Sequence, residues 1–190
     1  MRWLTLYARS RQVPASAAVA VPVLLAAWAF CHDGPGPMDL VTVVLVLTLS
    51  MAAASVGLGG QDTALDRTAA IRWVPRRAAH VLLMGAVAAA ALLALRLVGA
   101  DPAPTGYVVR DAAGLAGLAA LGAALWGAQL AWILPTGWLA VTVLSPAAAG
   151  TAGEVVHWMT FSPATTVSTW TAWGLGAVGT AVYALAGPRR

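Results

Sequence analysis

The feature that most constrains this chain is a run of 20 residues, 40–59, without a charged side chain. An α-helix needs ~20 predominantly apolar residues to cross the hydrocarbon core of a bilayer. Similar runs recur, so that 60% of the 190 residues are hydrophobic and 9% are charged. A soluble domain typically carries about 25% charged residues. The chain has too little polar surface for a water-soluble globule, and we expect an all-α polytopic membrane protein with a single transmembrane domain.

Six apolar runs, separated by polar or Pro/Gly-containing segments, predict six transmembrane helices. The fifth run is interrupted by Pro146, and a polar loop from Asp101 to Asp111 precedes the fourth. An even number of spans places both termini on the same side of the membrane. The predicted spans cover residues 13–31, 40–59, 80–99, 112–134, 137–152 and 167–186.

Small residues recur at four-residue spacing along the fourth and sixth spans. Such stripes let helix backbones approach closely in lipid, which favours a packed bundle without specifying which helices meet. The two stripes are Ala112, Ala116, Ala120, Ala124 and Ala128, and Ala172, Gly176, Thr180 and Ala184.

The basic residues, all of them arginine, orient this bundle. Nine of the eleven fall on one predicted face, with only Arg96 and Arg110 opposite. Cytoplasmic loops of membrane proteins carry an excess of Lys and Arg. We therefore expect a multi-pass protein of a bacterial inner (plasma) membrane with both termini in the cytoplasm. Arginines confined to the ends of apolar runs do not indicate a nucleic-acid partner.

Several chemistries are excluded or disfavoured by missing residues. Without lysine, the chain has neither a Walker A phosphate loop nor a Schiff-base lysine. No HExxH, GxSxG or paired-carboxylate motif occurs, and the predicted spans carry no acidic residue away from their ends. Ion-coupled carriers usually place such a group inside the membrane. We expect no catalytic residue, no cofactor and no ion-coupled transport.

Two polar pairs near the predicted outer face remain open to a functional interpretation. Glu154 and His157 have the i, i+3 spacing that places two metal ligands on one helix face, although carboxylate metal sites need further ligands. A short amphipathic helix on the membrane surface is the simpler explanation of the pair, and we expect no metal site. His32 and Asp33 form a second loop pair. A membrane enzyme would have to depend on Glu154 and His157 alone.

The polar segment between the second and third spans, residues 61–75, predicts a short cytoplasmic helix. Thr63 and Asp66 match a capping box with aspartate in place of glutamate. Arg72 suits the negative end of the helix dipole, and Pro75 ends the helix. A helix of about ten residues is too short to be stable alone in water. It therefore either lies on lipid headgroups or docks a cytoplasmic partner.

The string Leu65-Asp-Arg-Thr-Ala-Ala70 resembles a Leu-Glu/Asp-Arg-Thr-Ala pattern of small actinobacterial permease subunits of type-2 ABC exporters. Two further features resemble this family: residues 1–12 are similar to its amphipathic connecting helix, and residues 145–163 to its broken outer hairpin. The resemblance implies that residues 62–75 form a coupling helix for a separate ATP-binding subunit. The implied coupling residues are Asp62, Leu65, Asp66, Arg67, Arg72 and Trp73.

The same resemblance implies a second permease copy or a paralogue, since six short helices hardly enclose a pathway. Spans two and five would line that pathway, which makes Thr42, Thr48 and Ser50 candidate pathway residues. The substrate class is left open; an apolar interior favours lipophilic molecules, peptides or antibiotics. The alternative function is a membrane scaffold or regulatory anchor that recruits a cytoplasmic protein without transport.

Overall fold

The computed structural model describes residues 21–26, 28–29, 38–59, 73–146 and 149–189. Within these ranges the chain forms helices and connecting turns and no β-strand. The main helices are α1 (Leu40–Ser55), α2 (Trp73–Ala94), α3 (Thr105–Trp126), α4 (Ile133–Leu144), α5 (Thr151–Val156) and α6 (Thr166–Ala186). Short 3₁₀ turns cover Val56–Leu58, Leu95–Val98 and Ala128–Leu130.

Three helical stretches in the described part of the chain are long and apolar enough to cross a membrane. They are Leu40–Leu58, Trp73–Val98 and Thr105–Trp126, and they correspond to the second, third and fourth predicted spans. The stretch Ala128–Leu144 is apolar but shorter. Helix α6 has 21 residues, but its glycine, threonine and tryptophan residues lower its mean hydropathy, and it is not among the three.

Several predicted segments lie partly or wholly outside the described residues. This applies to the amphipathic helix over 1–12 and to residues 61–72 of the cytoplasmic segment. Of the first predicted span, 13–31, only residues 21–26 and 28–29 are described, and they are helical.

The boundaries of the third, fourth and fifth predicted spans differ from the observed helices. Helix α2 begins at Trp73, not near His80, and it continues through Pro75, so the prediction that a helix ends at Pro75 is wrong; proline is tolerated in the first turn of a helix. Helix α3 begins at Thr105, so the predicted loop up to Asp111 is wrong over its second half. It ends before Gly127, whose φ of 91° favours glycine. The fifth predicted span is not one helix, because Ser145, the residue before Pro146, adopts an extended conformation that ends α4.

The closest helix contact is between α3 and α6, and it is built on glycine. A Cβ atom on Gly179 would overlap the Gly117 carbonyl oxygen, and one on Gly176 would lie 3.0 Å from Ala113 O. Such close backbone approach provides the van der Waals contact that holds helices together in lipid. The predicted stripes contain Gly176 but neither Gly117 nor Gly179. Ala116 contacts α2 instead, where a Cβ atom on Gly85 would lie 3.2 Å from its methyl carbon.

One end of the bundle, which we call the arginine end, is where α1 finishes and α2 begins. The Tyr183 hydroxyl of α6 donates to Leu58 O at 2.6 Å, and the backbone N–H of Arg189 donates to Ala123 O at 3.0 Å. The ends of α1, α3 and α6 therefore meet there. At the opposite end, which we call the far end, the N–H of Met38 donates to Asp101 O at 2.8 Å.

Candidate functional site

The chain turns back on itself at the far end, in a stretch of residues 149–165 that we call the return segment. The Trp138 indole N–H and the Thr142 hydroxyl of α4 both donate to Val156 O, at 3.0 and 3.1 Å. One carbonyl at the end of α5 is thus bonded to the middle of α4. The return segment consequently folds back along α4 instead of leaving the bundle.

Trp158 anchors the return segment inside the bundle. Its side chain is fully buried and lies against Gly114 in the third turn of α3, where a Cβ atom would be 2.5 Å from Trp158 Cη2. Only glycine leaves room for the indole at this position. Among the described residues its Nε1 atom has no hydrogen-bond partner, so the ring is held by packing.

Arg110 joins α3 to the return segment and to α6. Its Nε and Nη2 atoms each lie 2.8 Å from Asp111 Oδ1. Nη1 donates to Phe161 O at 2.9 Å and reaches Ser168 Oγ at 3.5 Å, and Nη2 donates to Met159 O at 3.4 Å. We call this set of contacts the Arg110 clamp.

The clamp is closed to solvent and internally satisfied. Arg110 and Asp111 are 2% and 1% exposed, and every guanidinium nitrogen has a partner. The Tyr107 ring covers the cation, with the Arg110 Cζ atom 5.3 Å from the ring centroid. An arrangement without a free donor holds structure together and does not receive a ligand.

These two residues correct the sequence analysis. Arg110 and Asp111 were expected at the end of an outer loop, but both lie in the second turn of α3 and are buried. A candidate span therefore does contain a carboxylate away from its end. The expectation that no span carries such a group is wrong, and uncharged spans no longer weigh against ion-coupled transport.

A cavity of about 300 Å³ lies between α1, α4 and the return segment, near the lower size limit of small-molecule sites. We call it the His157 cavity. Four of its eight lining side chains are apolar and four are polar. The lining residues are Val41, Val44, Leu139, Thr142, Val143, Ser145, His157 and Thr160.

The hydrogen bonds of His157 determine what this cavity offers chemically. Its Nε2 atom lies 3.3 Å from both Pro146 O and Ser145 Oγ. A carbonyl oxygen only accepts hydrogen bonds, and the Ser145 hydroxyl donates its hydrogen bond to Val141 O at 2.6 Å. Both contacts therefore place the proton on Nε2. Nε2 in that tautomer is no general base for Ser145, so the pair does not form an activated nucleophile.

Glu154 and His157, the predicted ExxH pair, are not brought together as metal ligands. His157 is 5% exposed and directed at the end of α4, whereas Glu154 is half-exposed. Within the described ranges no group of three or more His, Cys, Asp or Glu side chains could hold a metal ion. Of the second polar pair, neither His32 nor Asp33 falls within the described residues.

The three candidate pathway residues on α1 have different environments. Thr42 is half-buried, whereas Thr48 and Ser50 are buried. The hydroxyls of Thr48 and Ser50 have no hydrogen-bond partner among the described residues. Thr48 lies one turn from Val44, which lines the His157 cavity with Val41. The cavity contacts α1 through these two valines, and the sequence had not singled them out.

Only one of the candidate coupling residues falls in the described part of the chain. Trp73 is the first residue of α2 and is half-buried. Its ring centroid lies 5.9 Å from the guanidinium carbon of Arg76, a cation–π distance. The remaining coupling residues, Asp62, Leu65, Asp66, Arg67 and Arg72, lie outside the described residues.

Comparison with protein-family models, with curated proteins and with solved structures gave no match.

Proposed function

We propose that this chain is the membrane-spanning permease subunit of an ABC exporter, powered by a separate ATP-binding subunit that docks on residues 62–75. The observation that carries the proposal is the position of this segment. It joins the 3₁₀ turn that follows α1, which ends before Gly59, to the start of α2, at Trp73, both at the arginine end. A partner bound there would act on two candidate spans at once.

The charge distribution supports a cytoplasmic arginine end. The described arginines at this end are Arg76, Arg77 and Arg189, and the joining segment adds Arg67 and Arg72 from the sequence. At the far end, Asp39, Asp101 and Glu154 accompany Arg96, and the buried Arg110 is paired with Asp111. The excess of arginine at one end follows the positive-inside rule, so the proposed docking segment would face the compartment that holds ATP.

Mechanical connection to the bundle supports a coupling role for the segment. Tyr183 bonds to Leu58 O where α1 ends, and the segment runs directly into α2 at Trp73. A push on residues 62–75 would therefore reach α1, α2 and α6 as a rigid-body movement. Residues 73–75 of the proposed segment are the first residues of α2.

The six-span topology is part of this proposal. A preceding span that ends near Trp28 would finish at the far end, because the Trp28 indole donates to Val98 O there at 3.1 Å. Helix α4 has 12 residues, about 18 Å at 1.5 Å per residue, which is shorter than a hydrocarbon core of ~30 Å. The fifth crossing would therefore include the 3₁₀ turn before α4, which extends the apolar stretch to Ala128–Leu144.

The His157 cavity lies between α1 and α4, which are the second and fifth spans of this topology. In the family that the sequence resembles, these two spans line the pathway. One cavity of about 300 Å³ is not a continuous passage. The proposal accordingly includes a second copy or a paralogue, with the pathway formed between the two subunits.

The decisive experiment uses the double variant Asp66→Ala/Arg67→Ala in the full-length chain. Tagged protein is purified from its native membranes, and we measure co-purifying ATP hydrolysis and ATP-dependent movement of the lipophilic dye Hoechst 33342 in vesicles. We expect the wild type to carry ATPase activity and the double variant to lose dye movement. Glu154→Gln, which removes a charge at the far end, serves as the control and should leave both readouts unchanged.

Two outcomes would overturn the proposal. If no ATPase accompanies the wild-type chain, the coupling assignment fails. If an ATPase is bound but the double variant binds it and moves dye as the wild type does, residues 62–75 are not the coupling segment. A bound cytoplasmic partner without any transport would support the scaffold or anchor function instead.

A further inference from the structure

An open apolar groove runs along the bundle between α2 and α6, with α3 as its floor. Its volume is about 910 Å³. Glycine and alanine make up more than half of its lining, including Gly85 and Ala89 of α2, Ala112 and Ala116 of α3, and Gly176 of α6. Small side chains on three neighbouring helices create a furrow where larger ones would fill the space.

The length of the groove matches a lipid acyl chain. Along α6 its lining extends from Trp173 to Leu185, about 18 Å at a rise of 1.5 Å per residue. Half of a hydrocarbon core of about 30 Å is ~15 Å. The groove therefore offers an apolar track that is long enough for one acyl chain of a single leaflet.

Positive charge lies at one mouth of the groove. Gly187 lies two residues after groove-lining Leu185. A Cβ atom on Gly187 would lie 2.8 Å from Nη1 of Arg77. The Arg77 guanidinium is therefore at the arginine end of the groove. Arg76 is exposed and stacks with Trp73 next to groove-lining Val74. Two guanidinium groups and an interfacial indole suit a phosphate headgroup.

We propose that the groove between α2 and α6 binds an acyl chain of an anionic phospholipid from the leaflet at the arginine end, with the lipid phosphate held by Arg76 and Arg77. This site requires only that the chain lies in a membrane, and it does not depend on the proposed transport function.

The charge at the mouth favours a lipid over a second copy of the chain. Two parallel copies related by a two-fold axis along the membrane normal present identical residues at the same depth. A symmetric contact through this groove would bring the Arg76 and Arg77 side chains of both copies to one level, where like charges repel. An anionic headgroup is attracted by the same residues.

The test is lipid binding to the full-length detergent-solubilised protein, measured by native mass spectrometry. The probes are palmitoyl-oleoyl phosphatidylglycerol and palmitoyl-oleoyl phosphatidylcholine, which share their acyl chains. We expect tighter binding of phosphatidylglycerol, and a loss of about tenfold or more for Arg76→Gln/Arg77→Gln. Arg189→Gln, which removes a charge at the same end outside the groove lining, should bind phosphatidylglycerol as the wild type does.

Two matched pairs of bulky variants test the groove itself. Ala86 and Ala177 line it from opposite walls, whereas Val87 and Val178 are exposed neighbours outside its lining. We expect Ala86→Phe and Ala177→Phe to abolish the preference for phosphatidylglycerol. Val87→Phe and Val178→Phe should retain that preference, and circular dichroism confirms that each variant is folded.

Equal binding of the two lipids by the wild type would overturn the proposal. So would unchanged lipid binding in both groove variants. A lower fraction of dimers in Ala86→Phe and Ala177→Phe, with lipid binding intact, would show that a second copy occupies the groove.

Discussion

Arg110 and Asp111 are neighbours in the chain, and their side chains form a buried ion pair at 2.8 Å inside a candidate transmembrane helix. The Arg110 guanidinium also donates to Phe161 O and Met159 O of the return segment. The pair therefore balances its own charges and also holds the return segment against α3. Buried ion pairs contribute little net stability against apolar replacements, but removing one partner leaves an uncompensated charge.

This predicts non-additive effects at the Arg110 clamp. Arg110→Met should lower the free energy of unfolding by about 3–5 kcal/mol, and Asp111→Leu by a similar amount. The double variant should lose less than the sum of the two, because no charge is then left alone. Titration with sodium dodecyl sulfate in mixed micelles measures all three. Strictly additive losses would mean that the pair does not act as a unit.

The contact between Gly114 and Trp158 predicts a size limit on α3. Gly114→Ala should destabilise the protein by about 1–3 kcal/mol, because the added Cβ atom would lie 2.5 Å from the indole. Gly174→Ala is a matched control in α6, where a Cβ atom meets nothing within 4 Å. We expect this control to be neutral or slightly stabilising. Equal losses in the two variants would contradict the packing of Trp158 on Gly114.

The glycine contact between α3 and α6 predicts a larger effect at Gly179. A methyl group there would overlap the Gly117 carbonyl oxygen, so Gly179→Ala must separate the two helices. We expect a loss of about 3 kcal/mol, at the upper end of overpacking effects. Thermal unfolding in detergent, followed by circular dichroism, measures the loss against Gly137→Ala, which has open space around it. A melting temperature equal to that of the control would be the contrary result.

The bond from Tyr183 to Leu58 predicts a moderate effect at the arginine end. Tyr183→Phe removes the hydroxyl that satisfies the buried carbonyl of Leu58, in the 3₁₀ turn after α1, which should cost about 1–3 kcal/mol. Hydrogen–deuterium exchange should increase at the end of α1. Thr171→Val, which removes a hydrogen bond from a hydroxyl to a carbonyl within α6, is the control and should leave hydrogen–deuterium exchange in α1 unchanged. Unaltered exchange at the end of α1 in Tyr183→Phe would show that the bond does not hold it.

The sequence was sufficient to predict the long apolar helices and the excess of arginine at one end of the bundle. The run over residues 40–59 coincides with Leu40–Leu58, because hydropathy and charge are local properties that set helix length and membrane depth. Pro146 marked the break after α4 for an equally local reason, the restriction that proline imposes on Ser145. Where such a signal is absent, the sequence predicted less well, as at the start of α3.

The roles of Arg110 and Trp158 depend on contacts between distant parts of the chain. Arg110 stands next to a loop in the sequence and looks like a surface charge, yet its partners include Phe161 O, 51 residues away. The burial of Trp158 depends on Gly114 of α3, which leaves room for its indole. Composition specifies which segments prefer the membrane, since each residue contributes its transfer free energy independently. The packing of the helices decides which polar groups are buried and which glycines face each other. A hydrogen bond or a close contact needs two partners at one place, and those partners are distant in the sequence.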